Sequence, residues 1–330
     1  MQTFSFQFAF QVGFFILHFM RIWFFGTPLL SANVLQDLLN ASDIEVVFVV
    51  TNHDKPIGRS NKLQETPVKT LAIAHNIPVF SPIKIRNNSE FFQELRRYQC
   101  DYFIVVAYGK ILPNEILEIP QKMCINVHGS ILPAYRWASP IQASLLHWDK
   151  ETGVTIMKMS EWMDEWDILK IHSIDIDPTE TTGSLFEKFA DISGTILIQT
   201  LRELEMGGIT SLPQDHTVAT YCSKIDKEDG LIDWNDCADK IYHMWQAYTP
   251  WPGIYTLYDK KRLLLEKVGT RDEEKKNNEI GKVVKMETGE FGITCNKWIL
   301  TLSQVKLEWK KSQSIRDFVN GNQNFISSIL

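Results

Sequence analysis

An asparagine and a histidine stand two positions apart in the stretch CINVHGSILPAYRWASPIQ, residues 124–142. On an extended strand, residues at i and i+2 point to the same face, so we expect the side chains of Asn126 and His128 to lie together. An amide N–H beside an imidazole can stabilise an oxygen that gains negative charge. Asp164, in the later stretch SEWMDEWDIL, could orient the imidazole or accept a proton.

Two other interpretations of this stretch stay open. An asparagine and a histidine near a strand end are common as plain polar loop residues. Cys124 and His128 could also indicate a cysteine hydrolase, but Cys124 begins an apolar run, which indicates a buried side chain. The spacing alone therefore does not decide the chemistry.

The elements that position these residues alternate between strand and helix from Met20 to about Leu204. Continuous apolar runs such as MRIWFFGT, EVVFVVT and DYFIVVAYG indicate buried strands, and segments with helical spacing separate them. The pattern predicts an α/β fold with a doubly wound, mostly parallel Rossmann-like sheet covered on both faces. In such sheets ligands bind beyond the carboxyl ends of the strands, where residues 126–130 fall.

The pattern changes after the predicted sheet. The stretch GGITSLPQ is weakly periodic and contains glycine and proline, which predicts a linker at 206–218. Residues 219–330 carry one helix-like run and then short alternating segments, which predict a smaller C-terminal β-barrel domain of the OB-like kind. The expected domains are therefore 20–205 and 219–330, joined by this linker.

Residues 1–19, MQTFSFQFAFQVGFFILHF, are aromatic and apolar. A signal peptide would show a basic start and a small-residue cleavage site, and neither is present. Gln11 and His18 interrupt the run, which makes it short for a membrane span. We expect this extension to be dispensable, the first strand to begin at Met20, and protein expressed from Met20 to be active.

Charge and cysteine content narrow the class of protein. The net charge of −6, from 34 Lys and Arg against 40 Asp and Glu, excludes a protein that binds nucleic acid over its whole surface, although a local basic loop is compatible with it. The five cysteines are scattered, which favours reduced thiols and a cytoplasmic location. No ligand spacing for a metal is present, so we expect a metal-free site.

A resemblance covers most of the chain. The stretches INVHGSILP, SPIQ, ETGVTIM and MDEWDIL resemble the signature of formyltransferases that use 10-formyltetrahydrofolate. MRIWFFGTP, VVAYGKILP, ATYCSKIDKEDGLIDW and YTPWPGIYT are similar, in the same order, to the methionyl-tRNA formyltransferase family, over roughly residues 20–324. The resemblance implies transfer of a formyl group to the amine of initiator methionyl-tRNA, for translation initiation, and a C-terminal domain that binds tRNA.

The resemblance also implies roles for single residues. Asn126, His128 and Asp164 match the family's catalytic trio. The folate-contacting segment matches Ser130, Ile131, Leu132 and Pro133, with isoleucine in place of the family's first leucine. Arg59 and Lys62 fall in the loop that reaches over the tRNA acceptor end, although on the residues alone this loop is equally a solvated basic turn. The implied partners are folate and tRNA, with neither a stable protein partner nor a membrane.

Three alternatives to this function stay open. A sugar-nucleotide formyltransferase would share the trio and a related barrel, but the GRSNKL loop and the PWPG stretch favour the tRNA enzyme. A glycinamide ribonucleotide formyltransferase would lack the C-terminal domain. A non-catalytic folate or tRNA binder would have its site blocked by tryptophans.

The tryptophans raise a further question, because several stand where the resembled family has glycine. These are Trp137, Trp148, Trp162, Trp166, Trp298 and Trp309. A single cause would explain all of them: a UGA codon, which some bacteria read as glycine and other translation tables render as tryptophan. We therefore expect glycine at these positions in the natural protein.

Overall fold

The structure is a computed structural model that describes residues 19–57, 62–161, 163–272 and 279–330, without the side chains of Ile57 and Lys62. The elements before the predicted linker are β1 (Met20–Gly26), α1 (Leu29–Asn40), β2 (Ile44–Val50), β3 (Lys55–Ile57), β4 (Lys62–Gln64), α2 (Pro67–Ala74), β5 (Val79–Phe80), α3 (Ser89–Arg97), β6 (Tyr102–Val106), α4 (Asn114–Leu117), β7 (Met123–His128), β8 (Arg136–Trp137), α5 (Pro140–Leu146), β9 (Glu151–Lys158), β10 (Ile168–Asp175) and α6 (Thr182–Glu205).

Seven of these strands, all in the described residues, form one sheet in the order β10-β9-β7-β6-β1-β2-β5. The pairs β1–β2, β1–β6, β2–β5 and β6–β7 are parallel. The strands β9 and β10 extend the sheet in antiparallel fashion beside β7. The predicted doubly wound, mostly parallel sheet is therefore confirmed, with an antiparallel edge added to it.

The sheet is stable because its strands are apolar on both faces and both faces are covered. Leu35 of α1 and Leu197 of α6 pack with the strands on one face. Aromatic rings fill the other face, where Trp23 stacks on Phe103 with ring centroids 4.9 Å apart. Because both faces of the sheet are covered, the polar groups at the carboxyl ends of the strands are the ones that can contact a ligand.

The elements after the linker are β11 (Tyr221–Cys222), α7 (Ala238–Tyr248), β12 (Ile254–Tyr258), β13 (Lys261–Arg271), β14 (Val283–Lys285), β15 (Phe291–Thr294), β16 (Ile299–Leu307), β17 (Gln313–Ser314) and α8 (Ile315–Gly321). The strands β12 to β17 form a curled antiparallel sheet in the order β12-β13-β16-β15-β14, with β17 beside β16. Its core is a cluster of edge-to-face rings from Tyr258, Phe318 and Phe325. The predicted C-terminal barrel is thus present as a half-barrel.

The predicted linker lies against the first sheet. Leu212 exchanges two backbone hydrogen bonds with Ile168, at 2.8 and 2.9 Å. A little further on, β11 pairs in parallel with β8. The segment between the two sheets is therefore held to the start of β10 and to β8.

Four of the tryptophans in question have a left-handed backbone. The φ angles of Trp137, Trp148, Trp298 and Trp309 are 85°, 64°, 67° and 64°. Among the other tryptophans that the structure describes, Trp166 included, none has a positive φ. Trp162 lies outside the described residues. Glycine adopts this region freely, whereas a residue with a Cβ is strained there.

The strand β1 begins at Met20, as the sequence predicts, while residues 1–18 lie outside the described part of the chain. Between residue 19 and the C-terminus, no described helix has the length and apolar character needed to cross a membrane.

Candidate active site

Asn126 and His128 lie at the carboxyl end of β7, in the interior of the sheet. The backbone of Asn126 is paired with Val105 of β6 on one side and with Met157 of β9 on the other. Since two neighbouring strands fix this register, the backbone at the strand end has little freedom. The two side chains point to the same face, because both approach the carboxylate of Asp164.

The structure brings the three predicted catalytic residues together around one oxygen atom. Asn126 Nδ2 lies 3.4 Å from Asp164 Oδ1, and His128 Nδ1 lies 3.7 Å from the same oxygen. His128 is 5% exposed and Asp164 is 9% exposed, so the cluster is shielded from bulk water. An amide donor, an imidazole and a carboxylate meeting at one point can bind a carbonyl oxygen and receive a proton from an amine.

The imidazole of His128 is held on its other side by a backbone carbonyl. Nε2 lies 2.9 Å from the carbonyl oxygen of Tyr135, and because a carbonyl can only accept, Nε2 carries the proton of this hydrogen bond. The contact fixes the tautomer and turns Nδ1 toward Asp164. Nδ1 is therefore the nitrogen that faces the reacting space.

Asp164 is held by contacts that the sequence analysis did not anticipate. Its backbone is left-handed, with φ of 61°. The backbone N–H of Trp137 donates to Asp164 Oδ2 at 2.9 Å, and Gln214 Nε2 donates to the carbonyl of Asp164 at 3.0 Å. These contacts come from distant parts of the chain, so no spacing in the sequence could have indicated them.

The predicted folate-contacting segment follows β7 directly. The Ser130 hydroxyl donates to the carbonyl of Ala134 at 2.5 Å, and Leu132 is buried against Met157. Both side chains are therefore used to shape the loop. Ile131 and Pro133 are half-buried instead, and are the members of the segment whose side chains can contact a ligand.

Thr155 of β9 ties this segment to the sheet, and it too was missed. Its hydroxyl donates to the carbonyl of Ser130 at 2.6 Å and accepts from the N–H of Leu132 at 3.2 Å. A buried threonine on a strand is ordinary in sequence, so only the structure reveals the contact.

Cys124 does not support a hydrolase. It is 2% exposed, and its thiol donates to the carbonyl of Leu117. Burial raises the pKa of the Cys124 thiol strongly, so the reactive thiolate is disfavoured.

Two of the predicted site residues cannot be located. Arg59 lies outside the described residues, and so does the side chain of Lys62, whose backbone begins β4. Their role in tRNA binding stays a prediction. In the ranges that the structure describes, no group of three His, Cys, Asp or Glu side chains is arranged to hold a metal ion.

Comparison with known proteins identifies the family. A family model described as formyl transferase matches residues 20–201, and one described as formyl transferase, C-terminal domain, matches residues 224–323. A methionyl-tRNA formyltransferase from Caldicellulosiruptor saccharolyticus is 39% identical over 92% of this chain and 97% of its own. Another, from Clostridium novyi, is 35% identical over 94% of this chain and 100% of its own.

The chain belongs to the formyl transferase family. It is a formyl-transferring enzyme. Two solved structures share the fold of this formyl transferase at low identity. An N-formyltransferase from Helicobacter canadensis, in complex with folinic acid and dTDP-3-aminofucose, has a TM-score of 0.64 at 15% identity, over 87% of this chain and 100% of that one. HypX from Aquifex aeolicus, in complex with tetrahydrofolic acid, has a TM-score of 0.61 at 14% identity, over 93% of this chain and 48% of that one.

Proposed function

We propose that this formyl transferase is a methionyl-tRNA formyltransferase, which transfers the formyl group of 10-formyltetrahydrofolate to the amine of initiator methionyl-tRNA. The convergence of Asn126, His128 and Asp164 on one oxygen, inside a chain that is similar to such enzymes over almost its whole length, carries the proposal. Such a role in translation initiation corresponds to a cytoplasmic enzyme.

The co-substrate fits the groups at the end of β7. A formyl oxygen needs hydrogen-bond donors, and the amide of Asn126 has two N–H groups, of which one faces Asp164. The apolar side chains of Ile131 and Pro133, half-buried beside the trio, suit a flat ring system. When bound, 10-formyltetrahydrofolate supplies the formyl group on its N10.

The three side chains have separable tasks in the proposed reaction. The second N–H of Asn126 stabilises the charge that develops on the formyl oxygen. The imidazole of His128 can add to this only when Nδ1 is protonated as well as Nε2, because Nδ1 then becomes a donor. Loss of one such preorganised donor typically slows a reaction about 10²- to 10³-fold. Asp164 Oδ1 accepts the proton that the attacking amine loses, directly or through a water molecule, while Oδ2 stays anchored by the N–H of Trp137. As the bond between the formyl carbon and N10 breaks, this proton passes to N10, and tetrahydrofolate leaves.

Binding of the tRNA is assigned to the C-terminal half-barrel and to the loop that contains Arg59 and Lys62. The support is the resemblance of that loop and the match of residues 224–323 to the C-terminal formyl transferase domain. We include both residues in the proposal as contacts to the acceptor end.

The experiment that tests the proposal offers the enzyme three amines. Formyl transfer from 10-formyltetrahydrofolate is followed with initiator methionyl-tRNA, with a dTDP-linked amino sugar and with glycinamide ribonucleotide. We expect transfer to the tRNA alone. Transfer to the sugar nucleotide in its place, or folate binding without any turnover, would overturn the assignment.

A further inference from the structure

The segment that connects the two sheets, residues 206–222 including β11, crosses the loop that carries Asp164. Ser211 Oγ donates to Asp167 Oδ2 at 2.9 Å, and Leu212 pairs with Ile168 through two backbone hydrogen bonds. Thr220 Oγ1 then accepts the N–H of Tyr135 at 2.9 Å. The connecting segment thus forms one wall behind the catalytic trio.

Gln214 is the side chain of this segment that reaches the carboxylate-bearing turn. It is 6% exposed. Its Nε2 donates to the carbonyls of Asp164 and Trp166, at 3.0 and 2.6 Å. Its Oε1 accepts from Arg136 Nη2 at 2.8 Å. Both N–H groups and the oxygen of the amide are therefore engaged, and the orientation of the amide is determined.

Arg136 fixes Gln214 from behind. The Arg136 side chain is fully buried, and besides Gln214 it contacts His216 Nδ1 at 3.2 Å and the Tyr221 hydroxyl at 3.3 Å. These three partners belong to the connecting segment, and Arg136 Nη1 also lies 3.7 Å from Oε1 of Glu165, the residue after Asp164. Trp137, the next residue, donates its N–H to the carboxylate of Asp164, and Gln214 donates to the backbone carbonyl of Asp164, so the buried arginine lies between the two contacts that hold this residue.

We propose that Gln214, oriented by Arg136, is a positioning residue for Asp164, so that the segment between the sheets is a part of the active site. The claim about turnover rests on the proposed function. The claim about the geometry of the turn does not, because it concerns hydrogen bonds within the chain.

The test compares Gln214→Leu with Gln214→Glu and with a matched control. Gln214→Glu keeps an oxygen for the buried arginine but removes both N–H donors, so it loses the contact to the turn while keeping a partner for Arg136. The control is Gln246→Leu. Gln246 lies on α7 and is 1% exposed, and its Nε2 also donates to two carbonyls, those of Pro178 and Glu180.

Each Gln214 variant should lower kcat about 10- to 100-fold, the usual effect of losing a group that orients a reacting residue, with little change in KM. Combined with Asp164→Asn, the same substitution should have almost no further effect, because the two act through one carboxylate. An equal loss of kcat in both backgrounds, or a comparable loss in Gln246→Leu, would overturn the positioning role.

Amide hydrogen exchange of residues 163–168 tests the position of the turn without measuring catalysis. Exchange should accelerate in both Gln214 variants and stay unchanged in Gln246→Leu. Unchanged exchange in the Gln214 variants refutes the proposal. If the wild-type enzyme fails to formylate methionyl-tRNA, the proposed function fails, while the exchange result still decides the role of Gln214.

A second inference comes from the four left-handed tryptophans. Trp148 follows α5, and its N–H donates to the carbonyl of Leu145 at 3.2 Å, while the N–H of Asp149 donates to that of Ser144 at 3.0 Å. This pair of bonds is the Schellman motif, in which the left-handed residue after the helix is usually glycine.

The two C-terminal tryptophans stand in tight turns. Trp298 is the last of the four residues, 295–298, that connect β15 to β16, and its backbone is left-handed while its carbonyl accepts the N–H of Cys295 at 3.1 Å. Trp309 is third in a four-residue turn closed by the hydrogen bond from Lys310 N–H to the carbonyl of Leu307, at 2.9 Å. A positive φ at that position requires glycine or asparagine. Its side chain is 82% exposed and stabilises little.

We infer that the codons for residues 137, 148, 298 and 309 encode glycine in the organism. The gene and the natural protein decide this. We expect UGA at these four codons and UGG at the codons of Trp234 and Trp251. We also expect peptides of the natural protein to have masses that fit glycine at the four positions. UGG codons, or tryptophan in the natural peptides, refute it.

Stability provides the second readout. Trp148→Gly and Trp309→Gly should each raise Tm by about 2 to 4 °C, since each relieves left-handed strain at an exposed side chain. The control, Trp245→Gly, should lower Tm, because Trp245 lies inside α7 and its indole N–H donates to the carbonyl of Glu266 at 3.0 Å. A lower Tm in the first two variants contradicts the inference.

Discussion

The end of strand β7 and the loop that carries Asp164 contribute to one site by different means. Asn126 and His128 stand on a strand paired on both sides, two residues apart. Asp164 stands on a left-handed turn, held by a backbone N–H from β8 and by a side chain from the segment between the sheets. The sheet supplies the amide and the imidazole, and loop contacts supply the carboxylate.

This difference predicts which part of the site is displaced by substitutions outside it. Displacing a donor requires breaking the sheet, which unfolds the protein. Displacing the carboxylate requires only the loss of a few hydrogen bonds that contribute little to global stability. We therefore expect substitutions behind Asp164 to lower turnover without unfolding the chain. Substitutions in the strands that hold Asn126 should instead destabilise the whole fold.

The largest effect is expected at the loop. Asp164→Asn keeps the shape of the side chain but removes the base, and should lower kcat about 10³-fold, within the range of general base catalysis. Steady-state formyl transfer measures it, with Glu161→Gln as the control, since Glu161 is exposed in the same loop and bonds Asn114. A loss below tenfold would mean that Asp164 is not the proton acceptor.

A smaller effect is expected at Asn126 on the strand. Asn126→Ala removes one oxyanion donor and should lower kcat about 10²-fold, while folate affinity, measured by fluorescence titration, changes little. Asn114→Ala, at an exposed position at the start of α4, controls for the loss of an amide. If folate affinity falls as much as kcat, Asn126 stabilises the bound co-substrate as much as the transition state, and it is not a selective oxyanion donor.

The two regions also differ in how far the sequence predicts them. Alternation on a strand places Asn126 and His128 on one face, and the apolar runs predict the parallel sheet that carries them. The antiparallel strands β9 and β10 and the contacts of Arg136 and Gln214 were not predicted, because they depend on tertiary pairings between distant segments. The position of Asp164 came from resemblance alone, since no local pattern fixes a loop.

The smallest effect is expected in the scaffold, at the ion pair between Asp43 and Arg202, which joins the turn before β2 to α6 at 2.7 Å. The hydrogen bond from Arg202 lowers the pKa of Asp43. Because the pKa of Asp43 is lower in the folded than in the unfolded state, the ionised carboxylate stabilises the fold at pH values above the unfolded pKa of about 3.9. This stabilisation is lost as the pH falls below that value. Because the pair is partly exposed, Asp43→Asn should cost at most about 1 kcal/mol near pH 7.

Denaturant unfolding of Asp43→Asn and wild type at pH 7 and pH 3 checks this. The difference in unfolding free energy should shrink at the lower pH, and turnover at pH 7 should be unaffected. A loss of activity in this variant would show that the scaffold and the site are not separable in the way described.

The account depends most directly on His128, whose ring is fixed by the carbonyl of Tyr135 and faces Asp164. The decisive measurement is single-turnover formyl transfer to initiator methionyl-tRNA by wild type and by His128→Ala, with 10-formyltetrahydrofolate affinity measured on the same samples. We predict rapid transfer by wild type, a rate lower by about 10³-fold in the variant, and similar folate affinity in both. Near-normal transfer by His128→Ala would contradict the assignment of the site.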